Sequence, residues 1–168
     1  MMDFAYWLPI VWAVILVAAI SIYVVLDGFD LGIGMLFALE RHPGRRDVMV
    51  NTIAPVWDGN ETWMVLGGAV LYGVFPGAYA TLLPAFYLPI VLMLLALIFR
   101  GVAFEFRVMT RGAGREGVWN VGFMAGSAIA AFCQGAILGG VVQGIRVVDG
   151  AFAGGPLDWL TPFSILCG

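Results

Sequence analysis

The chain has 168 residues, of which 62% are hydrophobic and 11% charged, with a formal charge of -3 and a mean hydropathy of +0.98. A water-facing surface needs a far larger share of Lys, Arg, Asp and Glu, so a soluble domain is excluded and the composition is that of a membrane-embedded protein. Each helical crossing takes about 20 apolar residues, so this length holds four spans with short loops; the alternating segments of a membrane β-barrel are not seen.

The N-terminal MMDFAYWLPIVW has no basic leader and no small-residue cleavage site after its apolar run, and is read as a retained first helix. Trp7 to Leu26 is 20 residues without a charge, and beyond DGFD the apolar LGIGMLFAL reaches Leu39. A helix over 7–39 is roughly 50 Å long, too long for one perpendicular crossing. One long tilted helix carrying Asp27 and Asp30 inside the bilayer is preferred to a turn at Asp27-Gly28, with Trp7 and Trp12 in the aromatic belt of one face.

ERHPGRRD reads as a basic loop. NTIAPVWDGNETW, residues 51–63, then sets Asp58 and Glu61 three apart between Trp57 and Trp63, at the head of 38 uncharged residues from Thr62 to Phe99. That run must hold two helices, and Phe75-Pro76-Gly77 is its best turn. Thr62 to Phe75 is only 14 residues. The second helix is therefore predicted over 55–75, opening at Pro55, which a first turn tolerates. Asp58 and Glu61 then belong to the helix itself, and Trp57 and Trp63 anchor its end.

A third helix is predicted over 79–106, kinked by Pro84 and Pro89, with Arg100 and Glu105 toward its far end. RVMTRGAGRE follows as a second basic loop. A fourth helix over 118–142 carries Gly122 and Gly126, Gly135 and Gly139, and Gly140 and Gly144 at small-xxx-small spacing, which predicts close packing on more than one side. RVVDGAFAGGPLD reads as a loop, and TPFSILCG opens a fifth apolar segment from about 160. The fold class is all-α: a polytopic membrane helix bundle of four transmembrane helices plus the start of a fifth, forming one transmembrane domain over 1–168.

The chain contains no lysine, and six of its eight arginines, Arg41, Arg45, Arg46, Arg107, Arg111 and Arg115, fall after the first and third helices. Those loops are predicted to be cytoplasmic, which places the N-terminus outside. Asp58, Glu61, Arg100 and Glu105 then gather near the cytoplasmic ends of helices two and three, with Asp27 and Asp30 in the inner half of helix one. A carboxylate in hydrocarbon must be paired, protonated or wet. Asp27 with Asp30, and Asp58 with Glu61, are i, i+3 pairs sharing a helix face, an arrangement suited to taking up and releasing protons. The competing reading is a static ion pair between Arg100 and one of these acids.

The only histidine, His42, lies in the Arg-His-Pro loop, so the chain by itself is a poor haem protein. Cys133 and Cys167 read as small packed side chains rather than a disulfide. Metal clusters, phosphate-binding loops and nucleophile triads are absent, and nothing suggests nucleic acid.

LDGFDLGIG (26–34), NTIAPVWDGNETW, LIFRGVAFEFR (97–107) and TPFS (161–164), in this order, closely resemble subunit II of the cytochrome bd quinol oxidases, including the group called cyanide-insensitive. The resemblance runs along the whole chain and matches about the N-terminal half of a family member; this half alone is not expected to turn over. It implies a bacterial inner-membrane enzyme that oxidises ubiquinol or menaquinol and reduces oxygen to water. Haem b and haem d would be held by subunit I, beside which this chain would pack, with or without small accessory subunits, and none would be bound by this chain. The resemblance further implies a cytoplasmic proton path in which Asp58 matches the uptake acid and Asp27 and Asp30 match polar residues of helix one; Arg100 and Glu105 fall on the charged FRGVAFEFR motif. From other classes, a proton-coupled membrane transporter would also place acids in a bundle, and a purely structural scaffold predicts acids that can be neutralised without effect.

Overall fold

The structure, a computed structural model, describes residues 4–110 and 116–168. In chain order it has α1 (Phe4–Leu36), α2 (Pro43–Ile53), α3 (Trp57–Val74), α4 (Pro76–Ala85), α5 (Tyr87–Met109), α6 (Glu116–Gln143), a hairpin of β1 (Val147–Val148) and β2 (Ala151–Phe152), and α7 (Pro162–Cys167). The protein is an all-α membrane helical protein, and α1, residues 87–107 and residues 117–143 are each long and apolar enough to cross a bilayer.

α1 runs unbroken for 33 residues through Asp27-Gly28, so the chain does not turn there. It ends at Leu36 rather than 39, because Arg46 reaches back to the carbonyls of Phe37 and Glu40 and draws the chain into a turn. Beyond it, the Glu40 carboxyl is held below its ordinary range, first by the backbone N–H of His42 and then by Arg45.

The segment read as a basic loop is instead largely helical. His42 caps α2 with Pro43 at its first position, where a fixed φ suits the helix and the missing N–H costs nothing. Val50 and Ile53 then insert into an apolar cluster with Phe37, Ala103, Phe104 and Phe123. Because α2 extends to Ile53, residues 54–56 form the turn between it and the next helix. Pro55 lies in that turn, and α3 begins at Trp57, with Asp58 in its first turn beside the positive helix end.

α3 stops at Val74 because Phe75 precedes Pro76, which disfavours helical geometry, and Pro76 opens α4. The predicted third helix is two helices. Pro89 has no N–H for the Ala85 carbonyl, and the chain breaks at Phe86 before resuming as α5.

α5 and α6 pack tightly as an antiparallel pair, α1 packs on both α6 and α3, and α7 lies on α6. The glycines of α6 divide this work. Gly126 faces the Ala96 carbonyl and Arg100 of α5, Gly122 faces Phe99 and Ala103, and Gly135 and Gly139 admit α7. Gly140 faces Phe86, but Gly144 makes no such contact: with φ +83 it ends the helix. The 147–152 stretch, read as loop, is a hairpin whose turn, Asp149-Gly150, has positive φ at both positions. Cys133 is buried and Cys167 exposed, and the two are not bonded. Arg111 and Arg115 lie outside the described residues.

Candidate functional site

DGFD lies in the C-terminal third of α1, where Asp27 and Asp30 are both 0% exposed. Bare carboxylates cannot stay at such positions, and each has its own partner from another helix. Arg100 of α5, 1% exposed, donates from Nη1 to Asp27 Oδ1 at 3.1 Å. Asn60 of α3 donates from Nδ2 to Asp30 Oδ2 at 2.8 Å. The i, i+3 pair is thus divided, with a cation serving one acid and an amide the other.

Glu61 also approaches Arg100, 4.0 Å from the same Nη1, and its side chain is 24% exposed. Asp58, one turn earlier, is exposed. Both line a groove of about 270 Å³ between α3 and α5, together with Trp57, Thr62, Ile98 and Gly101. The Trp57 ring packs on Phe104 at 5.4 Å between centroids and lies 3.4 Å from the position a Gly101 Cβ would take. The indole therefore forms one wall of the groove, at a distance where a Cβ on residue 101 would meet it in ordinary van der Waals contact. Trp63 is half-buried and does not line it.

The polar side chains therefore form a graded series in burial, with Asp58 exposed, Glu61 at the wall, Arg100 and Asp27 inside, and Asp30 with Asn60 alongside. Asp27 Oδ2, Asp30 Oδ1 and Arg100 Nη2 are buried without a hydrogen-bond partner among the described residues. Polar atoms in such positions are met by internal water.

Glu105 is exposed on α5 and is not brought into this cluster. Sequence reasoning missed Asn60, whose signal was an uncharged amide inside WDGN, one residue before Glu61. It also missed Tyr23, whose hydroxyl accepts from Gln134 at 2.6 Å, and the Asp47–Arg107–Asn120 network, in which Arg107 meets Asp47 at 2.7 Å and Asn120 at 2.8 Å.

Residues 8–168 match the family described as cytochrome bd terminal oxidase subunit II. The chain belongs to this family. Among curated relatives, it is 38% identical over 157 residues to the cytochrome bd ubiquinol oxidase subunit 2 of Bacillus subtilis, covering 92% of this chain and 46% of the relative. It is 34% identical over 167 residues to the cytochrome bd-I ubiquinol oxidase subunit 2 of Escherichia coli K12, covering 96% and 44%. It is 32% identical over 174 residues to a probable cytochrome oxidase subunit 2 of Haemophilus influenzae, covering 100% and 46%. The chain thus spans about half the length of the relatives it matches. Membership of an oxidase-subunit family disfavours the transporter reading.

The family's chemistry involves haem, whose iron is most often held by histidine, and the one histidine of this chain lies outside its membrane-spanning helices. His42 is exposed in the turn before α2, and among the described residues no group of three His, Cys, Asp or Glu side chains is arranged to hold a metal ion. What this subunit II chain does present is a buried charge cluster with an exposed acid at its mouth.

Proposed function

We propose that this chain acts as subunit II of a bacterial inner-membrane quinol oxidase that oxidises ubiquinol or menaquinol and reduces oxygen to water, and that its own part is to admit protons. Subunit I holds haem b and haem d beside it. Four spans and the start of a fifth are made by α1, α3, α4 with α5, α6, and α7. The N-terminus is outside, and the groove opens to the cytoplasm.

The observation that carries this reading is the gradation of burial from Asp58 through Glu61 to the Arg100–Asp27 pair. A static structural ion pair needs neither an exposed carboxylate at its mouth nor a second acid near the same guanidinium nitrogen. Oxygen reduction consumes protons inside the membrane, and they must arrive through groups that both bind and release them. Asp58 takes up a proton at the surface, Glu61 lies one turn deeper, and Arg100 keeps the inner acid electrostatically balanced as the proton passes.

The test is Asp58→Asn in the full-length subunit within the assembled oxidase. This change keeps size and most hydrogen bonds but removes the titratable proton. Oxygen reduction is expected to slow by about 10-fold or more, within the range for a lost acid–base group, while haem content stays near normal and Asp58→Glu retains more activity than Asn. Normal turnover and proton uptake in the assembled Asn variant would refute the uptake role. Joint loss of haem and assembly, partly restored by exchanging charges with Arg100, would support the static ion pair instead.

A further inference from the structure

Asn60 stands in the first turn of α3, where its backbone N–H bonds to the Val56 carbonyl at 2.9 Å. Its side-chain Nδ2 donates to Asp30 Oδ2 at 2.8 Å and lies 3.5 Å from the Leu26 carbonyl, one turn earlier on α1. Both of these groups are acceptors, so the amide must turn its NH2 rather than its oxygen toward α1. One uncharged side chain therefore joins the two helices at the carboxylate and fixes its direction.

The two acids of DGFD differ in what balances them. Arg100 pairs with Asp27 at 3.1 Å and reaches Glu61 at 4.0 Å, and among the described residues it has no ion pair with Asp30. Protonating Asp27 would leave a guanidinium that is 1% exposed with only the more distant Glu61 to balance it, and a stranded buried charge is costly. Protonating Asp30 strands no cation. Its Oδ1 is buried and has no hydrogen-bond partner among the described residues, so a proton there leaves the Asn60 bond to Oδ2 in place. The groups nearby are engaged elsewhere: Asp27 is held by Arg100, and Glu61 of α3 turns to the same cation. Ser127 of α6, which packs against Gly34 one turn further along α1, donates to the Phe123 carbonyl.

We propose that Asn60 is a positioning residue for Asp30, and that Asp30, held by this neutral amide, is the buried acid that takes up a proton while Asp27 keeps its charge against Arg100. The proton arrives by way of Asp58 and Glu61 and bonds to Oδ1, which neutralises the carboxylate. An amide suits this task because it donates to a carboxylate and to a carboxylic acid alike, whereas a cation at the same place would oppose protonation. This inference rests on the proton-uptake reading above.

The experiment uses the full-length subunit in the assembled oxidase and reads infrared difference spectra between oxidised and reduced enzyme together with turnover. A carboxylic acid band that Asp30→Asn deletes is expected, and it identifies the protonated side chain. Asn60→Leu, which keeps the bulk and removes the amide, should shift that band and slow oxygen reduction by about tenfold, the order for losing one hydrogen bond to a charged group, with the quinol KM unchanged. Asn60→Asp keeps the shape but donates only while the new acid is protonated, so its turnover relative to wild type should rise as pH falls. It serves in place of the leucine variant if that does not assemble. The proposal is overturned if Asp30→Asn deletes no band, if Asn60→Leu leaves the band unmoved, or if the pH profile of Asn60→Asp matches wild type. Asp58→Asn separates the two readings: normal turnover there removes the uptake role at the mouth, while the band and its shift would still establish Asn60 as the residue that positions Asp30.

Discussion

Removing one partner of a buried ion pair leaves the other charge stranded, which typically costs about 3–5 kcal/mol, whereas removing both together can be nearly neutral. Arg100 and Asp27 are 1% and 0% exposed, so this asymmetry applies to them in full. Arg100→Met is expected to lower the melting temperature and the yield of the assembled complex sharply. Asp27→Asn with Arg100→Met should recover most of both, although turnover stays low if Asp27 carries protons. Equal losses in the single and double variants, measured by thermal unfolding in detergent, would mean that Glu61 rather than Asp27 balances the guanidinium. The sequence identified the acids and the arginine as one group, because charges are conspicuous in apolar helices. It did not show which acid Arg100 chooses, since Asp27 with Asp30 on one helix and Asp58 with Glu61 on another are all expected at the same end of the bundle. Asn60 and Tyr23 were passed over because an uncharged polar side chain in a helix becomes significant only when its partner on another helix is seen.

Helix spacing depends on residues with no side chain to offer. A Cβ on Gly126 would stand 2.7 Å from the Ala96 carbonyl oxygen and 3.0 Å from Arg100 Cβ, so alanine there must push α5 from α6 and displace the guanidinium. Gly126→Ala is expected to destabilise the assembled complex by about 1–3 kcal/mol, the usual range for overpacking. Gly68→Ala, on α3 with nothing within 4 Å, should be neutral or gain up to about 1 kcal/mol of helix propensity. Similar melting shifts for the two would show that the tight α5–α6 contact does not control stability. Small-xxx-small spacing marked α6 as a packing helix but could not distinguish Gly140, which faces Phe86, from Gly144, which ends the helix. Similarly, Pro43-Gly44 looks like a turn when proline and glycine are read as punctuation. Only the burial of Val50 and Ile53 a turn or two later reveals a helix start, and the breaks at Phe75 and Phe86 follow from prolines whose side of the bend is undetermined in one dimension.

At the scale of the molecule, the carboxyl end of α1, the helix α2, the start of α3 and the end of α5 share one side of the bundle, tied by Arg107 between Asp47 and Asn120, and the hairpin after α6 lies at the other. Six of the eight arginines belong to the first side by sequence, and cytoplasmic ends collect Arg because moving it across the membrane is disfavoured. The first side is therefore expected inside and the hairpin outside. Impermeant thiol labelling in intact cells tests this directly, in a Cys167→Ser background because that thiol is exposed. Leu39→Cys, at a position 79% exposed in the turn after α1, should be protected until the cells are opened. Ala151→Cys, exposed on the hairpin, should react at once, and it is preferred to Gly150, where φ is +78 and any side chain is strained. Reaction of residue 39 with protection of residue 151 would invert the bundle. Asp58 and its groove would then open to the outside, so protons for oxygen reduction could not enter from the cytoplasm by this route, and the uptake proposal would fail even if Asp58→Asn slowed the enzyme.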